Sequence, residues 1–254
     1  MNRLDKVFQK KRKNVLAIYA TAGFPNMDDT RRTILELDAA GADIVEIGMP
    51  FSDPLADGST IQASSQKAID NGMTLKRLFE QLKGIRSETD IPIVLMGYLN
   101  PVMVFGVEAF CKKCKEVGVD GLILPDMPMW EFENSYKSIF EKYGLHAVFL
   151  VTPQTSAERV RLLDAASGGF LYAVSVSTTT GKSGRFDQTQ ENYFERLSKM
   201  ELKNPVLVGF GIAGPENFNI ASEYLNGGVV GSAFIRAMEK GERVGDFVGM
   251  IRGK

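Results

Sequence analysis

A single (β/α)8 barrel of the TIM type is expected, with an extra N-terminal helix and long loops after the second and sixth strands. Three observations lead there. Short apolar, β-branched runs alternate with helical patterns along the whole chain. There are eight such runs in 254 residues, the usual size of one barrel. The runs are continuous rather than alternating, as in parallel strands buried on both faces. A doubly wound open sheet is the alternative, and it more usually has fewer strands. No Pro- or Ser-rich linker interrupts the pattern, so residues 1–254 read as one domain.

The elements follow in order. The opening MNRLDKVFQKKRK reads as a short helix whose basic end, Lys10 to Lys13, is a solvated face. Strands are predicted over 15–21, 43–47, 91–96, 120–124, 145–151, 170–174, 205–209 and 227–231. Asp28-Asp29 opens a helix carrying Ile34, Leu35 and Leu37. Residues 108–117 form another, closed by Gly118. Ser156 caps a helix with Val160, Leu162 and Leu163, ended by Gly168-Gly169, and Pro215-Glu216 starts one after the seventh strand. AGADIVEI, VGVDGLIL and NGGVVGSA look alike, each with Gly near a helix end followed by an apolar strand.

Composition removes several functions. Thirty Lys and Arg against 31 Asp and Glu leave a net charge of -1, with no basic stripe for nucleic acid. The N-terminus has no apolar signal core, and no apolar run reaches the ~18 residues of a membrane span. A cytoplasmic enzyme is expected. Cys111 and Cys114 lie inside a helical pattern rather than at a helix start, so they read as two reduced thiols. No metal cluster is apparent.

In such barrels the chemistry sits at the C-terminal ends of the strands. The loop after strand two, Gly48 to Gly58, and the one after strand six, Ser175 to Gln188, are long. The second is polar and glycine-containing, and reads as a mobile lid or as an ordinary surface loop. No strand carries a lysine for Schiff-base chemistry. The one histidine, His146, falls at the end of strand five away from the chemistry and reads as structural.

Two carboxylates stand out. Glu46 shares a strand face with Ile44, while Val45 and Ile47 take the other. A glutamate facing into a barrel must be paired, protonated or functional, because an unpaired buried charge costs several kcal/mol. Asp57 lies in the loop leaving the same strand and can reach back over the mouth. Asp126 is a third candidate, or a cap for the next helix. Val208-Gly209-Phe210-Gly211 and Val229-Val230-Gly231-Ser232 end neighbouring strands before helices, an arrangement suited to a phosphate. Gly181 could close its third side.

With these residues, the chain closely resembles the tryptophan synthase alpha subunits. EIGMPFSDPLADGSTIQ, from Glu46 to Gln62, is similar to that family's signature. The likeness runs on through GYLNP, LPDMP, FLYAVS, VGFGIAGPENF and VVGSA. The resemblance implies retro-aldol cleavage of indole-3-glycerol phosphate to indole and glyceraldehyde 3-phosphate. It implies a beta-subunit partner that receives the indole, an α2β2 heterotetramer, and no cofactor here, pyridoxal phosphate belonging to the partner. Residue by residue, it makes Glu46 and Asp57 the catalytic pair, Tyr172 a positioning tyrosine, and Thr180 the lid threonine that bonds Asp57. Gly181, Gly211, Gly231 and Ser232 would bind phosphate. Tyr19, Tyr98, Ile123 and Asp126 would surround the indole. Asp53, with the loop after Tyr98, would face the partner. The lid departs from the familiar pattern at Val176 and Thr178, Tyr19 stands where phenylalanine is familiar, and Ala213 where serine is common.

Overall fold

The computed structural model describes residues 1–175 and 185–254. Thr180 and Gly181 lie outside the described residues.

Strands β1 (Val15–Thr21), β2 (Ile44–Gly48), β3 (Ile93–Met96), β4 (Gly121–Ile123), β5 (His146–Val148), β6 (Leu150–Val151), β7 (Leu171–Val174), β8 (Val206–Gly209) and β9 (Gly227–Val230) form one sheet. Its order is β5-β4-β3-β2-β1-β9-β8-β7-β6, all parallel. The two edges, β5 and β6, are consecutive in the chain and separated only by Phe149. They are the predicted fifth strand, interrupted once. The sheet therefore comes back on itself as the expected eight-stranded barrel.

Helices alternate with these strands: α1 (Arg3–Lys10), α2 (Asp29–Ala40), α3 (Ser59–Asp70), α4 (Leu75–Leu82), α5 (Leu99–Phe105), α6 (Val107–Val117), α7 (Met129–Glu131), α8 (Lys137–Tyr143), α9 (Ala157–Ala166), α10 (Gln188–Ser198), α11 (Pro215–Tyr224), α12 (Ser232–Glu239) and α13 (Val244–Ile251). A π-helical turn over Phe132–Tyr136 joins α7 to α8. None of these helices is long and apolar enough to cross a membrane.

Alternation along each strand builds two cores. Val15, Ala17, Tyr19, Ile44, Val94, Ile123 and Tyr172 pack together inside the barrel. Leu16, Ile18, Val45, Ile47 and Leu95 pack outward against Ile34, Leu37, Phe79 and Phe110 of the helices. Each fully buried side chain of this kind contributes roughly 1.5–3 kcal/mol. The predicted division of β2, Ile44 to one side and Val45 with Ile47 to the other, is what forms.

The floor of the barrel is sealed by α1. Leu4 is wholly buried in the inner core. Arg3 pairs with Asp120 at 3.1 Å, and His146 Nε2 meets Asp5 Oδ1 at 2.8 Å, so His146 ties α1 to β5. Both cysteines are buried in α6, and burial pushes the Cys111 thiol up to about 12.

Several local expectations need correction. The basic segment after α1 is not merely a solvated face. Lys11 and Arg252 both bind Asp43 at 2.7 Å, while Asp43 also accepts the Leu16 N–H, clamping both chain ends to the strand starts. Gly41 and Gly118 do end α2 and α6 in left-handed conformation, at φ 86° and 82°. The third look-alike differs. Gly227 lies inside β9 at φ 151°, and a Cβ there would stand 2.0 Å from the Val15 carbonyl oxygen. It is a glycine of close backbone approach rather than a helix terminator. Helix α9 is capped by Ser156 as expected but stops at Ala166, before Gly168-Gly169. Those two glycines make room for His146 and Leu4 instead.

Candidate active site

Glu46 sits at the centre of β2, between Tyr19 of β1 and Val94 of β3 in register. It is 0% exposed, and neither carboxyl oxygen has a hydrogen-bond partner among the described residues. Burial alone pushes its pKa up to about 8. Unpaired among the described residues and desolvated, the carboxyl favours its protonated form near neutral pH.

Asp57 reaches the same mouth from the segment between β2 and α3. Tyr98, the residue before α5, donates its hydroxyl to Asp57 Oδ2 at 2.9 Å. That hydroxyl accepts the N–H groups of Leu55 at 3.1 Å and Ala56 at 3.0 Å. One tyrosine thus fixes both the carboxylate and the backbone leading to it. Burial raises the Asp57 pKa, and the Tyr98 hydrogen bond partly opposes this.

Tyr19 and Tyr172 line the pocket from β1 and β7. Both are buried, and both phenol pKa values are pushed up, first by burial and further by the carboxylates of Asp57 and Glu46. The same electrostatic neighbourhood therefore contains Glu46, Asp57 and the two phenols.

Each of these tyrosines needs a glycine on the next strand. A Cβ at Gly48 would lie 1.9 Å from the Tyr19 hydroxyl, and one at Gly209 would lie 2.1 Å from that of Tyr172. The geometry is the same twice. Tyr19 pairs with Glu46, and Gly48 follows two residues on; Tyr172 pairs with Leu207, and Gly209 follows two residues on. Each ring leans up and across onto its neighbour. Gly209 thus serves Tyr172, rather than the phosphate approach expected of it.

The glycine ends of β8 and β9 are side by side. Gly211 is left-handed at φ 77°, and Phe210 before it takes φ 66°, a conformation rare for an aromatic residue. Ser175 donates to the Phe210 carbonyl at 2.5 Å, and Asn217 Nδ2 to that of Gly211 at 2.7 Å, holding this turn. Gly231 precedes α12, whose first residue is Ser232. The first N–H groups of such a helix have no carbonyl partner within it and favour an anion.

The remaining candidates separate. Ile123 is buried inside the barrel. Asp126 is a cap, but not for the helix after it: both its oxygens accept the Leu99 N–H, at 2.9 and 3.1 Å, at the start of α5. Asp53 is exposed and accepts from Ser52. Leu55, two residues on, is exposed, as are the apolar side chains Met103, Val104 and Trp130. The partnership of Tyr98 with Asp57, and the roles of Gly48, Ser175 and Asn217, escaped the sequence reading. Their signal is strand register and loop closure, which a linear pattern does not carry.

Known proteins share this sequence and fold. The family profile described as tryptophan synthase alpha chain matches residues 5–246. The tryptophan synthase alpha chain of Flavobacterium johnsoniae is 54% identical, over 99% of this chain and 100% of its own. The solved tryptophan synthase A-subunit of Pyrococcus furiosus superposes with a TM-score of 0.87 at 35% identity, covering 96% of this chain and 100% of that one. The alpha subunit of Legionella pneumophila gives a TM-score of 0.87 at 32% identity, covering 100% and 98%. The chain belongs to the tryptophan synthase alpha chain family.

Proposed function

We propose that Glu46 and Asp57 carry the reaction of this family, the cleavage of indole-3-glycerol phosphate to indole and glyceraldehyde 3-phosphate. The observation that supports this most directly is Glu46 itself: fully buried, without a hydrogen-bond partner among the described residues, and with its pKa pushed up to about 8. At neutral pH such a group holds a proton it can give away.

The steps balance on that one proton. Glu46 protonates C3 of the indole ring, leaving a positively charged indolenine and a carboxylate. Asp57, ionised, accepts a hydrogen bond from the ring N–H and stabilises that charge. The Glu46 carboxylate then takes the proton of the glycerol hydroxyl next to the ring. The O–H electrons form the aldehyde C=O, the C–C bond breaks, and its electrons return to the ring as indole. Glu46 ends protonated, as it began. Tyr172 and Tyr19 wall the ring, with Ile123 opposite. The phosphate binds at Gly211, Gly231 and Ser232; Gly181 as a further phosphate contact, and Thr180 as the lid threonine that bonds Asp57, are assigned by the resemblance alone. No cofactor enters this scheme, and pyridoxal phosphate belongs to the beta-subunit partner.

The partner docks at the mouth, over Asp53 and the exposed Leu55, Met103, Val104 and Trp130. We assign an α2β2 assembly in the cytoplasm. Glu46→Gln tests the catalytic assignment. Turnover should fall by at least ~100-fold, because only the acid–base step is removed. Binding of glycerol 3-phosphate should persist. Near-wild-type turnover would overturn the role of Glu46.

A further inference from the structure

Asp57 is attached to the barrel by more than Tyr98. Helix α3 begins two residues after it, and Gln62 of that helix donates to the Asp57 carbonyl at 2.7 Å. Where α3 sits therefore determines where Asp57 sits. One buried polar contact sets α3 against the sheet. The Ser64 hydroxyl of α3 lies 2.7 Å from that of Thr21, the last residue of β1, and both residues are buried.

The protons of this contact can be ordered. Ser64 donates to the Ile61 carbonyl at 2.8 Å, in the first turn of its own helix. Its one proton is then committed, so Thr21 donates to Ser64. Thr21 shares its strand, and by period two its strand face, with Tyr19. Tyr19 is held over Gly48, at the end of the strand from which the Asp57 segment departs. A pair of hydroxyls thus joins the strand that carries Tyr19 to the helix that follows Asp57.

We propose that Ser64 is a positioning residue for the cleavage reaction, locking α3 to β1 through Thr21 so that Asp57 stays beside the ring N–H. The proposal rests on the role given to Asp57 above. Ser64 touches no substrate; it acts through the placement of a group that does. A carboxylate must meet the developing ring charge at hydrogen-bond distance, so a displacement of well under 1 Å is felt in the chemical step rather than in phosphate binding.

The test is a cycle of variants assayed for indole release in the complex with the beta subunit. Ser64→Ala should lower kcat by about 10-fold and leave KM within about 2-fold, because Ser64 bonds to β1 and within α3 and not to Gly211, Gly231 or Ser232. In an Asp57→Asn background the same change should cost nothing further, because its target is already gone. Thr21→Val/Ser64→Ala removes both hydroxyls together and leaves neither unsatisfied, so it keeps the fold if Ser64→Ala alone does not. It should show the same kcat loss. Wild-type kcat in the folded variants, a loss confined to KM, or an undiminished effect in the Asp57→Asn background would overturn the proposal. Should Asp57→Asn itself retain full turnover, the assignment of Asp57 fails first. Should it lose turnover while Ser64→Ala is silent, only the positioning role of Ser64 fails.

Discussion

Glu46, proposed here as the acid–base group, is placed at a cost to stability. Its pKa in the fold is about 8, against an ordinary value of 4.5. Between those two pH values the folded chain holds a proton that the unfolded chain has released. The contribution of this group to stability is therefore complete at low pH, falls as pH rises through the window, and levels off above about 8. Glu46→Gln is neutral throughout and escapes this fall. Urea unfolding of both proteins should show the variant gaining on the wild type between pH 5 and 8, by on the order of a few kcal/mol. A stability difference that does not change with pH would mean that Glu46 is ionised and paired in the fold. The two tyrosine–glycine pairs make a complementary point. Gly48 and Gly209 are residues without side chains because the neighbouring strand's phenol occupies that space.

Among the elements, α5 is the clearest case of a helix organised from outside itself. It follows Tyr98, which holds Asp57, and its first N–H is capped by Asp126 from beyond β4. Its far end presents Met103 and Val104 to solvent. Asp126→Ala should cost about 1 kcal/mol of stability, the usual value of a lost cap. It should also weaken activation by the beta subunit, because the helix start and Tyr98 loosen together. Unfolding curves and a titration with beta subunit check both effects; an unchanged titration would uncouple Asp126 from the partner face. The sequence marked Asp126 as a possible cap, but chose the wrong helix. Capping across strands depends on β3 and β4 lying side by side, which composition does not state.

The whole barrel separates two kinds of end. The floor is closed by Leu4, and by the ties of α1 to Asp120 and His146. The mouth gathers the carboxylates, phenols and glycine turns. Outside the mouth lie exposed apolar side chains, with Val104 82% and Leu55 84% exposed. Val104→Asp should leave melting temperature and basal cleavage near wild type, since the side chain is 82% exposed. It should reduce the rate gain on adding beta subunit by about 10-fold, since an unpaired charge buried in an interface costs 1.4 kcal/mol or more. Full activation of the variant would move the docking surface elsewhere.

The barrel and its inner face were legible in the linear pattern for a plain reason. Parallel strands buried on both faces need continuous apolar runs, and period two assigns every side chain to one core or the other. Glu46 was legible as the exception to that rule. Residues distant in sequence were not legible as partners: Tyr98 for Asp57, Gly48 for Tyr19, Gly209 for Tyr172, Lys11 and Arg252 for Asp43. The pattern left Glu46 open between paired, protonated and functional, because the choice depends on which groups lie around it in space. Periodicity is local and is written along the chain. Register, cradle and desolvation arise only when strands lie next to one another, and the tertiary structure alone decides them.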